Sequence, residues 1–308
     1  MFAALFHADW STGRDKRWAV FALSKTEGWH VEAPFAVPVS DQLLDILFNA
    51  GAKGPVLAGF DFPIGVPFSY GTKTGLVDFP SALLEFGTGQ WDAFYSVADL
   101  PSELSLRRPF YPRRSSAEAR QAHLLSAHAA ASIGELRRRC EHATSGRRAA
   151  CALFWTLGGN QVGKAAIAGW QEVIAPARRR GARLWPFDGE LQELAATNGL
   201  VLAETYPAEA YGHVGIRFSA GQSKRRQDDR ASQSRAILKW AERSGVRLSP
   251  KMADMVQGGF GEDSAGEDRF DAALGLCGMI EVAKGRRPDA PRVPEVRQWE
   301  GWILGQAA

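Results

Sequence analysis

Cysteine is scarce. Cys140, Cys151 and Cys277 are the only three in 308 residues, lie far apart and form no C-x-x-C pair, which excludes a disulfide framework and a zinc ribbon. The six histidines, His7, His30, His123, His128, His142 and His213, make neither an H-E-x-x-H motif nor a histidine pair with cysteine partners, so no zinc centre is expected. No uncharged apolar run approaches the roughly 18 residues of a membrane span, and residues 1–10 lack the basic and apolar regions of a secretion signal. The expectation is a cytoplasmic chain with no membrane partner, and nothing in the sequence asks for an obligate protein partner. Internal repeats are also absent. What is present, 45% apolar and 23% charged residues, is the balance of an ordinary globular protein and excludes disorder, collagen and coiled coil.

The formal net charge of +3 is unevenly spread: residues 1–100 hold 6 Lys+Arg against 11 Asp+Glu, residues 101–180 hold 14 against 5, and residues 181–308 hold 17 against 18. The middle section carries its arginines in clusters, such as Arg107-Arg108, Arg113-Arg114, Arg137 to Arg139 and Arg178 to Arg180. Such clusters are expected of a surface that meets phosphates, or equally of a solvated helical face.

Short apolar segments over 2–8, 17–23 and 29–34, separated by polar turns containing Gly13 and Gly28, predict three strands of an antiparallel meander. A helix over 41–50, capped by Ser40 and stopped at Gly51, and a buried strand over 55–60 follow. This order predicts an α/β fold with a mixed sheet, because a helical crossover returns the fourth strand parallel to a neighbour. Residues 66–180 change character to Gly- and Pro-punctuated loop and Ala- and Arg-rich helix, expected over 117–140, 148–157 and 165–180. We read 1–308 as a single domain and 66–180 as a helical, basic insertion within it. Beyond it, strands are expected over 183–187 and 200–204, helices over 189–198, 227–244, 250–257 and 268–284, and an extended segment over 286–294.

The acidic residues fall where chemistry is built. Asp9, Asp61 and Glu204 each end an apolar run, and the C-terminal edge of parallel strands is where side chains converge outside the packed core. Asp268 and Asp271 are spaced i, i+3, which puts both on one helix face near an N-terminus that favours carboxylates. Each acid alone is explained by a turn or a cap. Together they repel: two carboxylates 4 Å apart cost about 4 kcal/mol at an effective dielectric of 20, so a cluster calls for cations or protons between its members. All-oxygen ligation suits Mg²⁺ or Mn²⁺, and a pair of such ions can hydrolyse a phosphodiester.

Four pieces, Ala8-Asp9, Gly59-Phe60-Asp61-Phe62-Pro63-Ile64-Gly65, Glu204-Thr205-Tyr206-Pro207 and Glu267-Asp268-Arg269-Phe270-Asp271-Ala272, resemble in order and spacing the bacterial and archaeal family of predicted RNase H-like nucleases. The resemblance spans nearly the whole chain. It implies an RNase H-like fold, three antiparallel strands, a helix and then parallel strands, with Asp9, Asp61, Glu204, Asp268 and Asp271 as the acidic, metal-holding catalytic site. Glu267 stands where the family more often has aspartate. Lys224, Arg230 and Arg235 look like the family's basic residues after the fifth-strand acid, which would bind phosphate or else solvate a helix.

The stretch 158–165 almost spells a phosphate-binding loop, but Ala165 replaces the hydroxyl that would hold Mg²⁺. A glycine-rich turn that brings Gln161 and Lys164 near the acids is expected instead. Trp10, directly after Asp9, is the tryptophan placed to stack a base. The expected function is a metal-dependent nuclease acting on DNA or RNA. Two alternatives are a phosphotransferase of the sugar kinase and actin type, with Asp9-Trp10-Ser11-Thr12-Gly13 as its phosphate loop, and a non-catalytic metal-binding scaffold.

Overall fold

The computed structural model describes residues 1–115, 119–144, 148–157 and 162–308. These divide into two compact units, one of Met1–Asp61, Glu190–Asp289 and Ile303–Ala307, the other of Phe62–Gly189 and Ala290–Trp302 with Ala308.

The chain is α/β. Its strands are β1 (Ala4–Asp9), β2 (Trp18–Lys25), β3 (Gly28–Val31), β4 (Phe35–Ala36), β5 (Pro55–Phe60), β6 (Arg183–Leu184), β7 (Gly199–Glu204) and β8 (Val246–Leu248). In the first unit the mixed sheet runs β7-β5-β1-β2-β3-β8, with β4 beside β2. The meander forms as expected, β1 antiparallel to β2 and β2 to β3, while β5 lies parallel to β1 and β7 parallel to β5. Strands β1, β5 and β7 read as near-continuous apolar runs because they are buried along almost their whole length, as parallel strands covered on both faces must be. Strands β4 and β8 were not expected; two and three residues long, they leave almost no periodic signal.

Helices cover this sheet. The first, α1 (Ser40–Lys53), buries Leu43, Leu44 and Leu47 and packs on β5 and β7. It differs from expectation at both ends: Ser40 is its first residue and Val39 stands at the cap, and Gly51 lies buried within it. After β7 come α2 (Pro207–Val214), α3 (Gln227–Ala231), α4 (Ser234–Arg243), α5 (Pro250–Gln257) and α6 (Gly266–Ala283). The helix expected over 227–244 is broken before Ser234, where the Gln233 side chain turns inward to accept the Arg217 amide at 3.2 Å. Over 189–198 only Leu191–Leu194 is helical. Helix α6 is buried from Arg269 through Cys277 and packs on β1, β2 and α2.

One close approach fixes α6 against the sheet. A Cβ on Gly275 would stand 2.1 Å from the His7 ring of β1, so only glycine lets the imidazole through. His7 is fully buried and bonds Ala272 O through Nδ1 and Thr205 Oγ1 through Nε2, each at 2.9 Å. A carbonyl only accepts, so Nδ1 carries the proton and Nε2 accepts from the hydroxyl. Burial holds this histidine neutral, lowering its pKa to about 3 against the weaker opposing pull of the Ala272 carbonyl.

The second unit corrects the helical expectations. Of the helix expected over 117–140, the described part is α-helical only at Gln121–His128 and ends on Ala129 at φ 47°. Residues 148–157 contain no helix; that segment pairs by backbone, Tyr111 N with Phe154 O and Thr156 N with Tyr111 O, both at 2.9 Å. The third helix does form, as Gly163–Gly169 and Ala175–Arg179 joined by a π-helical Trp170–Ile174. The glycine of the stretch Asp61-Phe62-Pro63-Ile64-Gly65 has a physical reason here: Gly65 sits at φ 141°, and a Cβ on it would lie 2.1 Å from Glu300 O.

Some of the clustered arginines are tied down inside this unit. Arg138 is 1% exposed and bonds Glu141 at 2.9 Å and Glu300 O at 3.0 Å, Arg139 pairs with Glu295 at 3.2 Å, and Arg178 clasps Asp188 through two bonds at 2.5 and 3.0 Å. Arg138 is therefore not available to a phosphate, whereas Arg113, Arg114, Arg120, Arg139 and Arg179 are exposed, Arg113 beside Asp99 at 3.6 Å. Among the described residues, no helix is long and apolar enough to cross a membrane.

Candidate acidic site

The sheet register brings the first two acids together. Ala8 of β1 aligns with Phe60 of β5, and Phe60 with Glu204 of β7. Asp9 and Asp61 follow in the next row, and their carboxyls share a hydrogen bond. Asp61 also accepts the Trp10 amide at 2.6 Å, which keeps it the acceptor and leaves the shared proton on Asp9. Burial pushes Asp9 well above the ordinary carboxylate range, with the charges of Asp61, Asp271 and Asp268 adding to it. Burial raises Asp61 to about 6, against the two hydrogen bonds it accepts.

Helix α6 supplies the next pair. Asp268 and Asp271 lie in its first two turns, and Asp268 is raised to about 6 by burial and by neighbouring Glu267, with Lys16 pulling the other way. Asp271 is 7% exposed; burial raises it and Lys224 opposes the rise. Both of its oxygens are taken, Oδ1 by the Tyr211 hydroxyl of α2 and Oδ2 by the Lys224 ammonium. Lys224 also reaches Glu267 at 3.2 Å. Burial disfavours its charge, but Asp271 and Glu267 outweigh that and hold it protonated.

Glu204 is buried at the end of β7, and its backbone oxygen accepts the Leu304 amide at 2.9 Å. It falls one position short of the Asp9 and Asp61 row, and the two-residue pleat assigns it the sheet face of Ala8 and Phe60 rather than that of Asp9. Its place in the row goes to Thr205, whose amide bonds Phe60 O at 2.8 Å. Arg230 is 2% exposed and gives its guanidinium to three backbone carbonyls, Gly259 at 2.8 Å, Lys224 at 2.6 Å and Gly261 at 2.7 Å. That makes it a clamp on the loops around α6 and not a phosphate contact. Arg235 is exposed on α4. Trp10 is 5% exposed, with Arg17 4.0 Å from its ring centroid and Phe60 edge-on at 5.7 Å, so its indole is packing and is not offered to a base. Lys164 lies in the second unit on Gly163–Gly169, and Gln161 lies outside the described residues.

Tyr211, His7 and Arg17 were not expected at the site. The partners of Tyr211 and His7 are distant in sequence, Arg17 packs on Trp10 across a polar turn, and a short helix beginning at Pro207 leaves little apolar period to reveal it. Proline at its N1 position was the available signal.

The oxygen-only donor set suits a hard divalent cation. Among the described residues no three His, Cys, Asp or Glu side chains stand in ligating array; Mg²⁺ is commonly bound through one or two carboxylates with water and phosphate completing its shell. The Asp9 and Asp61 pair fits that requirement, since the proton they share is what a cation would replace. No protein-family model, curated protein or solved structure matches the chain.

Proposed function

We propose that the protein is a metal-dependent phosphodiester hydrolase, a nuclease with an RNase H-like fold. The observation that carries this reading is the grouping of acids, Asp9 and Asp61 at the C-terminal ends of parallel strands and Asp268 and Asp271 at the start of α6, close enough for their charges to raise the Asp9 carboxyl. Supporting the fold assignment is the strand order, three antiparallel strands with β5 and β7 added in parallel on the β1 side, while the short β8 pairs parallel to β3 at the other edge. A divalent Mg²⁺ or Mn²⁺ held there would supply Lewis acidity toward a phosphoryl oxygen. The chain's own part is positional. Asp9 and Asp61 hold the cation, Asp271 is oriented by Tyr211 and Lys224, and α6 closes the site against the sheet. The phosphotransferase alternative has less support, because two amides of its would-be phosphate loop are already engaged, Trp10 N by Asp61 and Gly13 N by Ser11 Oγ at 3.4 Å.

The test is cleavage of labelled single-stranded, double-stranded, hybrid and branched nucleic acids in Mg²⁺, Mn²⁺ or EDTA. Cleavage that needs metal and falls on the order of a hundredfold in Asp271→Asn, close to 3 kcal/mol of transition-state stabilisation, is expected. Absence of cleavage across the panel, or full activity of both Asp9→Asn and Asp271→Asn, would refute the reading. Asp263, though just upstream, is a poor neutral control because it pairs with Arg269 at 2.5 Å; exposed Asp254→Asn on α5 has no such bond to lose and serves better.

A further inference from the structure

We infer that Lys224 takes the place of a second divalent ion, so that the site holds one ion, on Asp9 and Asp61, and a fixed ammonium beside Asp271. This rests on the hydrolase reading and revises its expected pair of ions. A second ion would have to enter where Asp271 stands, yet Oδ2 of Asp271 is held by Lys224 and Oδ1 by Tyr211. The same ammonium spans to Glu267 at 3.2 Å, so it offsets part of the charge of the two carboxylates that would otherwise attract a cation to the α6 side.

Its placement is built rather than incidental. The Lys224 carbonyl accepts from Arg230 at 2.6 Å, and the same buried guanidinium holds Gly259 O and Gly261 O in the turn that leads into α6. One side chain thus fixes the loop that carries the lysine and the start of the helix that carries its partners. The Lys224 side chain remains 38% exposed, which leaves the ammonium reachable by a phosphate oxygen while two of its three N–H donors serve carboxylates. A lysine is a compact point charge suited to that contact.

Mn²⁺ titration of the whole chain at neutral pH, with free Mn²⁺ followed by electron paramagnetic resonance, counts the ions directly and needs no turnover. One Mn²⁺ is expected in the wild type and in Lys224→Arg, and two in Lys224→Ala, where Asp271 and Glu267 lose the shared ammonium. Circular dichroism checks that each variant is folded. Two ions in the wild type, two in Lys224→Arg, or one in a folded Lys224→Ala would overturn the inference and leave the hydrolase reading standing. If Lys224→Ala does not fold, the wild-type and Lys224→Arg counts decide. No bound Mn²⁺ in the wild type would remove the hydrolase reading and this inference with it.

Discussion

Asp268→Asn should make the metal-free protein more stable, by an amount that grows as pH rises from about 4 and levels off near neutrality. Asp268 is half-buried beside Glu267 and Asp271, and its pKa is raised from 3.8 to about 6. A group raised in this way is protonated in both folded and unfolded chains below pH 3.8, so it costs nothing there. Between 3.8 and 6 the unfolded chain releases the proton first, and stability falls as pH rises until the folded carboxyl ionises too. At 1.36 kcal/mol for each pKa unit, about two units amount to roughly 3 kcal/mol. Partial exposure screens the charge and reduces this to about 1–2 kcal/mol. Asparagine keeps the shape and removes the charge, so the gain should be near zero at pH 4 and reach its plateau above pH 7. For a unit of this size each kcal/mol moves the midpoint by roughly 2–4 °C. Thermal and urea unfolding in EDTA at pH 4, 6 and 8 would measure it, and Mn²⁺ should shrink the difference by stabilising the wild type. A gain equal at pH 4 and pH 8, or no gain at pH 8, would show that Asp268 is not under electrostatic strain, and the case for a cation at this cluster would lose its main physical support.

Arg138→Met should destabilise the second unit by about 3–5 kcal/mol, the usual cost of leaving a buried charge without its partner, here Glu141. Urea unfolding followed by tryptophan fluorescence checks this, and a change below about 1 kcal/mol would mean the pair is solvated. Gly275→Ala should cost at least about 1–3 kcal/mol through overpacking, because its Cβ would lie 2.1 Å from the His7 ring. The imidazole resonances of His7 should shift with it, and an unperturbed ring would contradict the packing described here.

Much of this architecture is written locally. The apolar runs over 4–8, 55–60 and 200–204 mark buried strands, and each acid that ends one is legible as a strand-end residue because a carboxylate terminates a run that the core can accept. The i, i+3 spacing of Asp268 and Asp271 states their shared helix face. Which acids meet is a different matter. Register decides that Asp9 stands beside Asp61 while Glu204 falls one position short, and register depends on hydrogen bonds between segments separated by tens to hundreds of residues. The roles of the basic residues were illegible for the same reason. Lys224 and Arg230 look alike as charges in sequence, but one carries its ammonium to two carboxylates and the other buries its guanidinium among three carbonyls. Alanine and arginine favour helix over 117–140 and 148–157, yet propensity amounts to tenths of a kcal/mol per residue and yields to the buried Arg138 and Glu141 pair and to the backbone pairing of Tyr111 with Phe154 and Thr156. Sequence alone therefore determined the kinds of element and the chemical groups at their ends. The tertiary structure decided which groups share a proton, which share a cation and which are spent holding loops, because those outcomes depend on distance and burial that no local pattern encodes.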